Sequence, residues 1–137
     1  MASLVIDASV TLAWMLPGEA QAARARETAD RVATQGGVAP SLWRLEVANG
    51  LLSAVRRGRI PSEAVGELLG RLASLPVAMD GETAARAWDA TTALAQRHAL
   101  TAYDAAYLEL AVRRRLPLAS DDQALRAATQ AEGVALV

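Results

Sequence analysis

The chain has 137 residues and a formal net charge of -1, so a single domain covering residues 1–137 is the default expectation. It contains no cysteine and one histidine, which excludes disulfides, thiolate zinc sites and multi-histidine metal sites. All 14 basic residues are arginine, which also excludes P-loop and Schiff-base sites, because both need a lysine. Any bound metal must therefore be held by oxygen ligands, as Mg²⁺, Mn²⁺ and Ca²⁺ are.

The first half of the chain alternates short aliphatic runs with longer helical patterns. Val38-Ala39-Pro40 is read as a second strand or an edge segment. Ser41 could cap the start of the helix that follows, and Gly58 could end it. The predicted strands are 4–6 and 38–40, and the predicted helices are 8–16, 19–35, 41–58 and 62–74.

The second half repeats this alternation, which predicts an α/β fold with a small, mostly parallel sheet covered by helices on both faces. No apolar stretch is long enough for a transmembrane helix, and the N-terminus lacks the basic and apolar regions of a secretory signal. We therefore expect no membrane association and a cytoplasmic location. The predicted strands are 75–80, 116–120 and 134–137, and the predicted helices are 81–98, 100–115 and 121–133.

Acidic residues follow the ends of the predicted strands. Asp7 follows the first strand, and Asp121 and Asp122 follow the strand at 116–120. Asp104 lies in the first turn of one helix, and Glu46 lies early in another. Ligands of parallel sheets bind beyond the carboxyl ends of the strands, so these acids could converge at one edge.

Each acid also has a purely structural interpretation. Asp7 could support the N-terminus of the next helix. Thr101 with Asp104, and Ser120 with Gln123, have the spacing of capping boxes. The helical wheel of 41–57 places Glu46, with Asn49 and Ser53, on a polar stripe that could simply be solvated. This wheel puts the apolar face on Leu45, Val47, Ala48, Leu51, Leu52 and Val55.

A cluster of carboxylates at one edge would favour a divalent cation. Each like-charge pair at about 4 Å costs about 1 kcal/mol in water and several times more when partly buried. A hard cation would neutralise this repulsion, activate a water molecule and bind a phosphate. The chemistry that this pattern favours is metal-dependent hydrolysis of a phosphodiester.

Four segments, in this order, resemble the PIN-domain ribonucleases, and specifically the VapC toxins of bacterial toxin–antitoxin pairs. They are VIDASV (5–10), PSLWRLEVANGLLSAVRRGRI (40–60), LTAYDAAYLELAVRRRLPLAS (100–120) and DDQAL (121–125). The resemblance covers nearly the whole chain. It implies a three-layer α/β/α PIN-like fold.

The resemblance also implies an acidic quartet, made here of Asp7, Glu46, Asp104 and Asp122, that binds Mg²⁺ or Mn²⁺. Ser9, Asn49 and Ser120 match supporting positions of the family, and either Asp121 or Asp122 could be the closer ligand, with Asp122 favoured by its spacing. Such enzymes hydrolyse RNA through a metal-activated water and leave 5′-phosphate and 3′-hydroxyl ends. The implied partners are a VapB-like antitoxin that covers the site and a second copy of the chain in a homodimer.

Two arginine clusters could contact the phosphates of RNA. Alternatively, their charges only stabilise helix C-termini. One cluster is Arg56, Arg57 and Arg59, and the other is Arg113, Arg114 and Arg115; the side chains proposed to contact RNA are Arg56, Arg57, Arg113 and Arg114. Tyr103 and Tyr107, four residues apart on one helix, are expected to be packing residues.

Two other functions remain open: a PIN-fold binding module without catalysis, and a carboxylate-rich Mg²⁺-dependent phosphatase, which the lack of lysine disfavours.

Overall fold

The computed structural model describes residues 2–137 and contains a four-stranded sheet surrounded by helices. The strands are β1 (Val5–Ile6), β2 (Gly37–Pro40), β3 (Val77–Asp80) and β4 (Leu118–Ala119). The α-helices are α1 (Ala8–Met15), α2 (Ala22–Gln35), α3 (Trp43–Arg56), α4 (Ala64–Ala73), α5 (Thr83–Arg86), α6 (Thr92–His98), α7 (Ala102–Arg114) and α8 (Gln123–Ala131). A π-helical segment, Ala87–Thr91, joins α5 to α6.

All strand pairs of the sheet are parallel, in the order β3-β2-β1-β4. The central strand β1 pairs Val5 with Val38 on one side and with Leu118 on the other. Both residues of β1 are fully buried, as expected for a strand that is covered on both faces. The predicted α/β fold with a small parallel sheet is therefore confirmed.

Helix α7 crosses the sheet and contacts β1, β2 and β4. Its residues 105–111 are all buried, which matches a helix packed on every side. Helix α1 packs against α2 and α3. Gly50 of α3 permits this contact, because a Cβ atom there would lie 2.3 Å from the side chain of Leu12.

Some predicted boundaries were wrong. Helix α3 begins at Trp43, and Ser41 does not cap it; instead the Ser41 amide donates to Thr83 Oγ1. The predicted helix 81–98 is interrupted by the π-helical segment, and the predicted strand 134–137 pairs only at Leu136, which bridges to Leu118. The prediction for Gly58 is confirmed, since it follows the end of α3 with a φ of +72° that favours glycine.

The predicted apolar face of α3 was partly wrong. Leu45 and Leu52 are 77% and 48% exposed, although the helical wheel placed both on the buried side. Trp43 adds a large buried side chain to the same helix and moves the centre of the buried face toward its own position. The side chains of α3 that are buried are Trp43, Val47, Leu51 and Ala54. With the buried face of α3 centred in this way, Glu46 is half-buried at the margin of the core.

No helix in the described range 2–137 is both long and apolar enough to cross a bilayer.

Candidate active site

Asp7 is buried at the point where the central strand ends. It is 4% exposed and caps helix α1, because Oδ1 accepts a hydrogen bond of 3.0 Å from the amide of Val10. Ser9 Oγ also donates to this carboxylate, at 2.7 Å from Oδ1, and Ser120 Oγ donates to Oδ2. The predicted capping role of Asp7 is confirmed, but two hydroxyls in addition to the cap are more than a helix start requires.

Ser120 has a different role from the predicted capping box. Its hydroxyl donates to Asp7 and accepts from the amide of Asp122 at 3.0 Å, so it does not cap helix α8. Asp122 is the cap, with Oδ1 accepting from the amide of Leu125 at 2.8 Å. The capping-box interpretation of Ser120 and Gln123 was therefore wrong, because the serine is used to link β4 to Asp7.

The neighbouring acids Asp121 and Asp122 lie in different electrostatic environments. Asp121 forms an ion pair of 2.7 Å with Arg24 of α2, and its amide donates to Ser9 Oγ. Asp122 forms no ion pair within residues 2–137, and its charge is close enough to Asp104 to raise the pKa of that carboxyl. The charge of Asp122 therefore acts on Asp104, whereas Asp121 is paired with Arg24 and acts on Asp7.

Helices α7 and α3 supply the other two acids. Thr101 caps α7 by accepting from the amide of Asp104 at 3.1 Å, so the predicted capping interaction is confirmed. The carboxylate of Glu46 accepts a hydrogen bond of 2.6 Å from the hydroxyl of Tyr107. We expected Tyr107 to be a packing residue only. The available signal was its spacing, since a residue three positions after Asp104 lies on the same helix face.

Burial and mutual repulsion raise the pKa values of these carboxyls. Burial raises the pKa of Asp7 to about 6, and the charge of Asp121 adds to this, although hydrogen bonds from Ser120, Val10 and Ser9 oppose it. Burial also raises the pKa of Glu46, with a further increase from the charge of Asp104. The pKa of Asp104 is raised by burial and by the charge of Asp122. The charges of Glu46, Asp104 and Asp122 thus interact in sequence, and Asp7 interacts with Asp121.

The donor chemistry of this cluster suits a hard divalent cation. Within residues 2–137, no three Asp, Glu or His side chains already stand in a metal-binding arrangement. A cage of that kind is not needed for Mg²⁺, which keeps several waters and commonly uses one or two carboxylates together with substrate phosphates. Oxygen-only donors with raised pKa values therefore fit a largely hydrated Mg²⁺ or Mn²⁺.

The raised pKa of Asp7 predicts how the stability of the metal-free protein depends on pH. At pH 5, folded Asp7 holds a proton that the unfolded chain has largely lost, and it releases this proton as the pH rises through about 6. Raising the pH from 5 to 7 therefore lowers the free energy of unfolding by about 1 kcal/mol through this group. Thermal unfolding in EDTA at both pH values, for the parent and Asp7→Asn, measures the difference. Equal pH dependence of the two proteins would contradict the raised pKa.

Asn49, which the resemblance placed in a supporting position, makes no hydrogen bond to Glu46 or Asp104. Its side chain is exposed and forms no hydrogen bond within residues 2–137. Asn49 lies instead with Leu45 and Tyr103 around a shallow depression beside Glu46. The hydrogen bond that holds Glu46 comes from Tyr107.

Arg113 is not available for RNA, in contrast to the prediction. Its side chain is 15% exposed and pairs with Asp80 at 2.7 Å, Glu109 at 2.8 Å and Glu82 at 3.1 Å. Asp80 ends strand β3, so this arginine neutralises the acid at the end of the edge strand. Arg56, Arg57 and Arg114 are exposed, as an RNA-contacting role requires.

A cleft of about 350 Å³ extends from Ser9 and Asp121 along helices α1 and α3. Its floor is apolar and includes Leu12 and Leu16. Its carboxylates are compensated, since Asp121 pairs with Arg24 and Glu19 pairs with Arg59 at 2.8 Å. Arg57 also lines the cleft, and its guanidinium forms no ion pair within residues 2–137.

Comparisons with known proteins agree with this fold. The PIN domain family model matches residues 4–130. Ribonuclease VapC3 of Pyrobaculum aerophilum is 36% identical over 110 residues, which cover 79% of this chain and 80% of that protein. The crystal structure of PAE2754 from Pyrobaculum aerophilum has a similar fold, with a TM-score of 0.68 and 24% identity over 93% of this chain and 86% of that one.

Proposed function

The chain belongs to the PIN-domain family, as a protein of the VapC type, and from this membership we propose that it is a Mg²⁺- or Mn²⁺-dependent endoribonuclease toxin. The observation that carries the proposal is the buried carboxylate of Asp7, which receives two serine hydroxyls and an amide at the end of the central strand. A carboxylate with that many donors is held in one orientation, as a metal ligand must be.

The proposed metal ligands are Asp7, Glu46, Asp104 and Asp122. The bound cation would lower the pKa of a water molecule and stabilise the negative charge of the phosphate during attack. Ser9 and Ser120 would keep Asp7 anionic and oriented by donating to its oxygens. Of the two adjacent acids, we propose Asp122 as the ligand, because Arg24 already compensates Asp121.

The proposed reaction is hydrolysis of an RNA phosphodiester with inversion at phosphorus. The oxygen of water forms a bond to phosphorus while the bond from phosphorus to the 3′ oxygen breaks. The departing 3′ oxygen takes up a proton, so the products carry a 5′-phosphate and a 3′-hydroxyl. No side chain has to form a covalent intermediate, which agrees with a site that lacks cysteine and lysine.

The path of the RNA is proposed to include the cleft beside Asp121. Its apolar floor suits a nucleobase, and Arg57 suits a neighbouring phosphate. Arg56 and Arg114 are exposed and remain proposed phosphate contacts. We leave Arg113 out of this set, because three carboxylates already bind its guanidinium.

The proposed protein partners are a VapB-like antitoxin and a second copy of the chain, acting in the cytoplasm. Support comes from large apolar side chains that are exposed near the acids. Leu45, Leu52 and Tyr103 are 77%, 48% and 65% exposed, and Leu45 and Tyr103 lie around the depression next to Glu46. An exposed apolar patch beside a charged site is typical of a protein interface.

Mapping RNA ends after induction in cells tests the proposed function. The parent gene is expected to generate new 5′-phosphate ends at a small set of positions, and the Asp7→Asn gene is expected to generate none of them. The same map identifies the RNA target and the bases around the cleavage point. Identical 5′ ends from both genes would contradict cleavage at the proposed site.

A further inference from the structure

We propose that Tyr107 is a positioning residue that holds Glu46 in place for the divalent metal, and not only a packing residue of helix α7. This inference rests on the proposed metal-dependent function and deepens it. It concerns the hydroxyl group alone, because the aromatic ring would fill the core equally well as phenylalanine.

The hydrogen bond joins two helices that carry different acids of the site. Tyr107 lies one turn after Asp104 on α7, and its hydroxyl reaches across to Glu46 Oε1 on α3 at 2.6 Å. The two residues are 61 positions apart in the chain. The bond therefore fixes the distance between the helix that presents Glu46 and the helix that presents Asp104.

The position of the tyrosine restricts what its hydroxyl can do. Tyr107 is 1% exposed, so bulk water does not compete for the group. A buried hydroxyl without a partner costs free energy, and within residues 2–137 its partner is Glu46. A phenol hydroxyl is protonated at neutral pH, so the Tyr107 hydroxyl is the donor and the Glu46 carboxylate is the acceptor.

The effect on Glu46 is to occupy one of its two carboxylate oxygens. Oε1 accepts from Tyr107, while Oε2 forms no hydrogen bond within residues 2–137. Glu46 is half-buried at the margin of the core, so without the tether of this hydrogen bond its side chain could adopt other rotamers. The tether leaves Oε2 as the oxygen available to the metal.

The test compares Tyr107→Phe with Thr129→Val on helix α8. Thr129 is also fully buried, but its hydroxyl donates to the backbone carbonyl of Leu125 at 2.7 Å, so this variant controls for the loss of a buried hydroxyl that does not contact a proposed ligand. Mn²⁺ binding is measured by calorimetry without RNA, and thermal unfolding is measured in EDTA. Tyr107→Phe is expected to weaken Mn²⁺ binding by about tenfold, the effect typical of losing a group that orients a ligand. Thr129→Val should bind Mn²⁺ like the parent.

A double-mutant cycle separates positioning from packing. In a Glu46→Ala background, Tyr107→Phe should cause no additional loss of Mn²⁺ affinity, since the residue to be positioned is absent. Parental Mn²⁺ affinity in folded Tyr107→Phe would overturn the positioning role while leaving the proposed ribonuclease intact. An equal loss in both backgrounds would also overturn it. A parent protein that binds no Mn²⁺ would refute the metal dependence itself, and this inference with it.

Discussion

Asp104→Asn and Asp7→Asn are each expected to reduce metal-dependent RNA cleavage by about a hundredfold or more. Either change removes one negative charge from the proposed metal site and leaves a side chain of the same shape. The fold should survive Asp104→Asn, because Thr101 caps helix α7 through the backbone amide of residue 104 and not through its side chain. Loss of cleavage would then report on chemistry and not on unfolding.

Asp30→Asn provides the matched control for these two variants. Asp30 is an exposed acid on α2 and its carboxylate forms no ion pair within residues 2–137. The Asp30→Asn protein should cleave RNA at the parental rate, and expression of the Asp30→Asn gene should arrest growth as the parent gene does. Cells should tolerate the Asp7→Asn gene. Undiminished cleavage by both Asp7→Asn and Asp104→Asn would show that the proposed acids are not the site.

Arg113→Met is expected to cause the largest loss of stability, about 3 to 5 kcal/mol. Arg113 links α7 to the end of β3 through its ion pair with Asp80. The side chains of its partners Asp80 and Glu109 are only 5% and 6% exposed. Removing the guanidinium leaves these two carboxylates buried without a counter-ion. For a chain of this size, such a loss would lower the melting temperature by roughly 10 to 20 °C.

Arg114→Met is the control for this prediction, because Arg114 is exposed and a surface substitution usually changes stability by about 0.5 kcal/mol or less. The difference between Arg113→Met and the parent should shrink at low pH. Burial raises the pKa of Asp80, but the hydrogen bonds and charge of Arg113 outweigh burial and bring that pKa below its usual value. The stabilisation is therefore lost as the pH falls through the folded-state pKa of Asp80. Equal melting temperatures for Arg113→Met and Arg114→Met would refute a structural ion cluster.

The ends of the strands were the most predictable part of the molecule. Three aliphatic residues followed by Asp7, and the strand at 116–120 followed by Asp121 and Asp122, combine a strong strand signal with acids at the carboxyl end. Because the sheet is parallel, such groups must meet at one edge, and the structure joins Ser120 to Asp7 by a hydrogen bond. Local pattern and sheet geometry predicted that these strand ends meet, but not the hydrogen bond from Ser120 to Asp7, because the pattern around Ser120 suggested a capping box.

The partners of buried side chains could not be predicted in the same way. Arg24 and Asp121 are 97 positions apart, and no spacing rule relates them. Arg113 belongs to a run of arginines that suggests an exposed cluster. In the structure its side chain pairs with Asp80 and Glu109, whereas the next residue of the helix, Arg114, is exposed to solvent. The helical wheel of α3 likewise failed at Leu45, since it treated leucine as buried without regard to the position of Trp43.

The most direct test of the acidic cluster as a metal-dependent site is cleavage of end-labelled RNA by the purified protein as divalent metal is removed and restored. The RNA should contain a cleavage point identified in cells. We expect no cleavage in EDTA, recovery when Mg²⁺ or Mn²⁺ is added in excess, and no recovery for Asp104→Asn at the same metal concentration. Cleavage by the parent that continues unchanged in EDTA, or recovery of Asp104→Asn to the parental rate, would contradict the account.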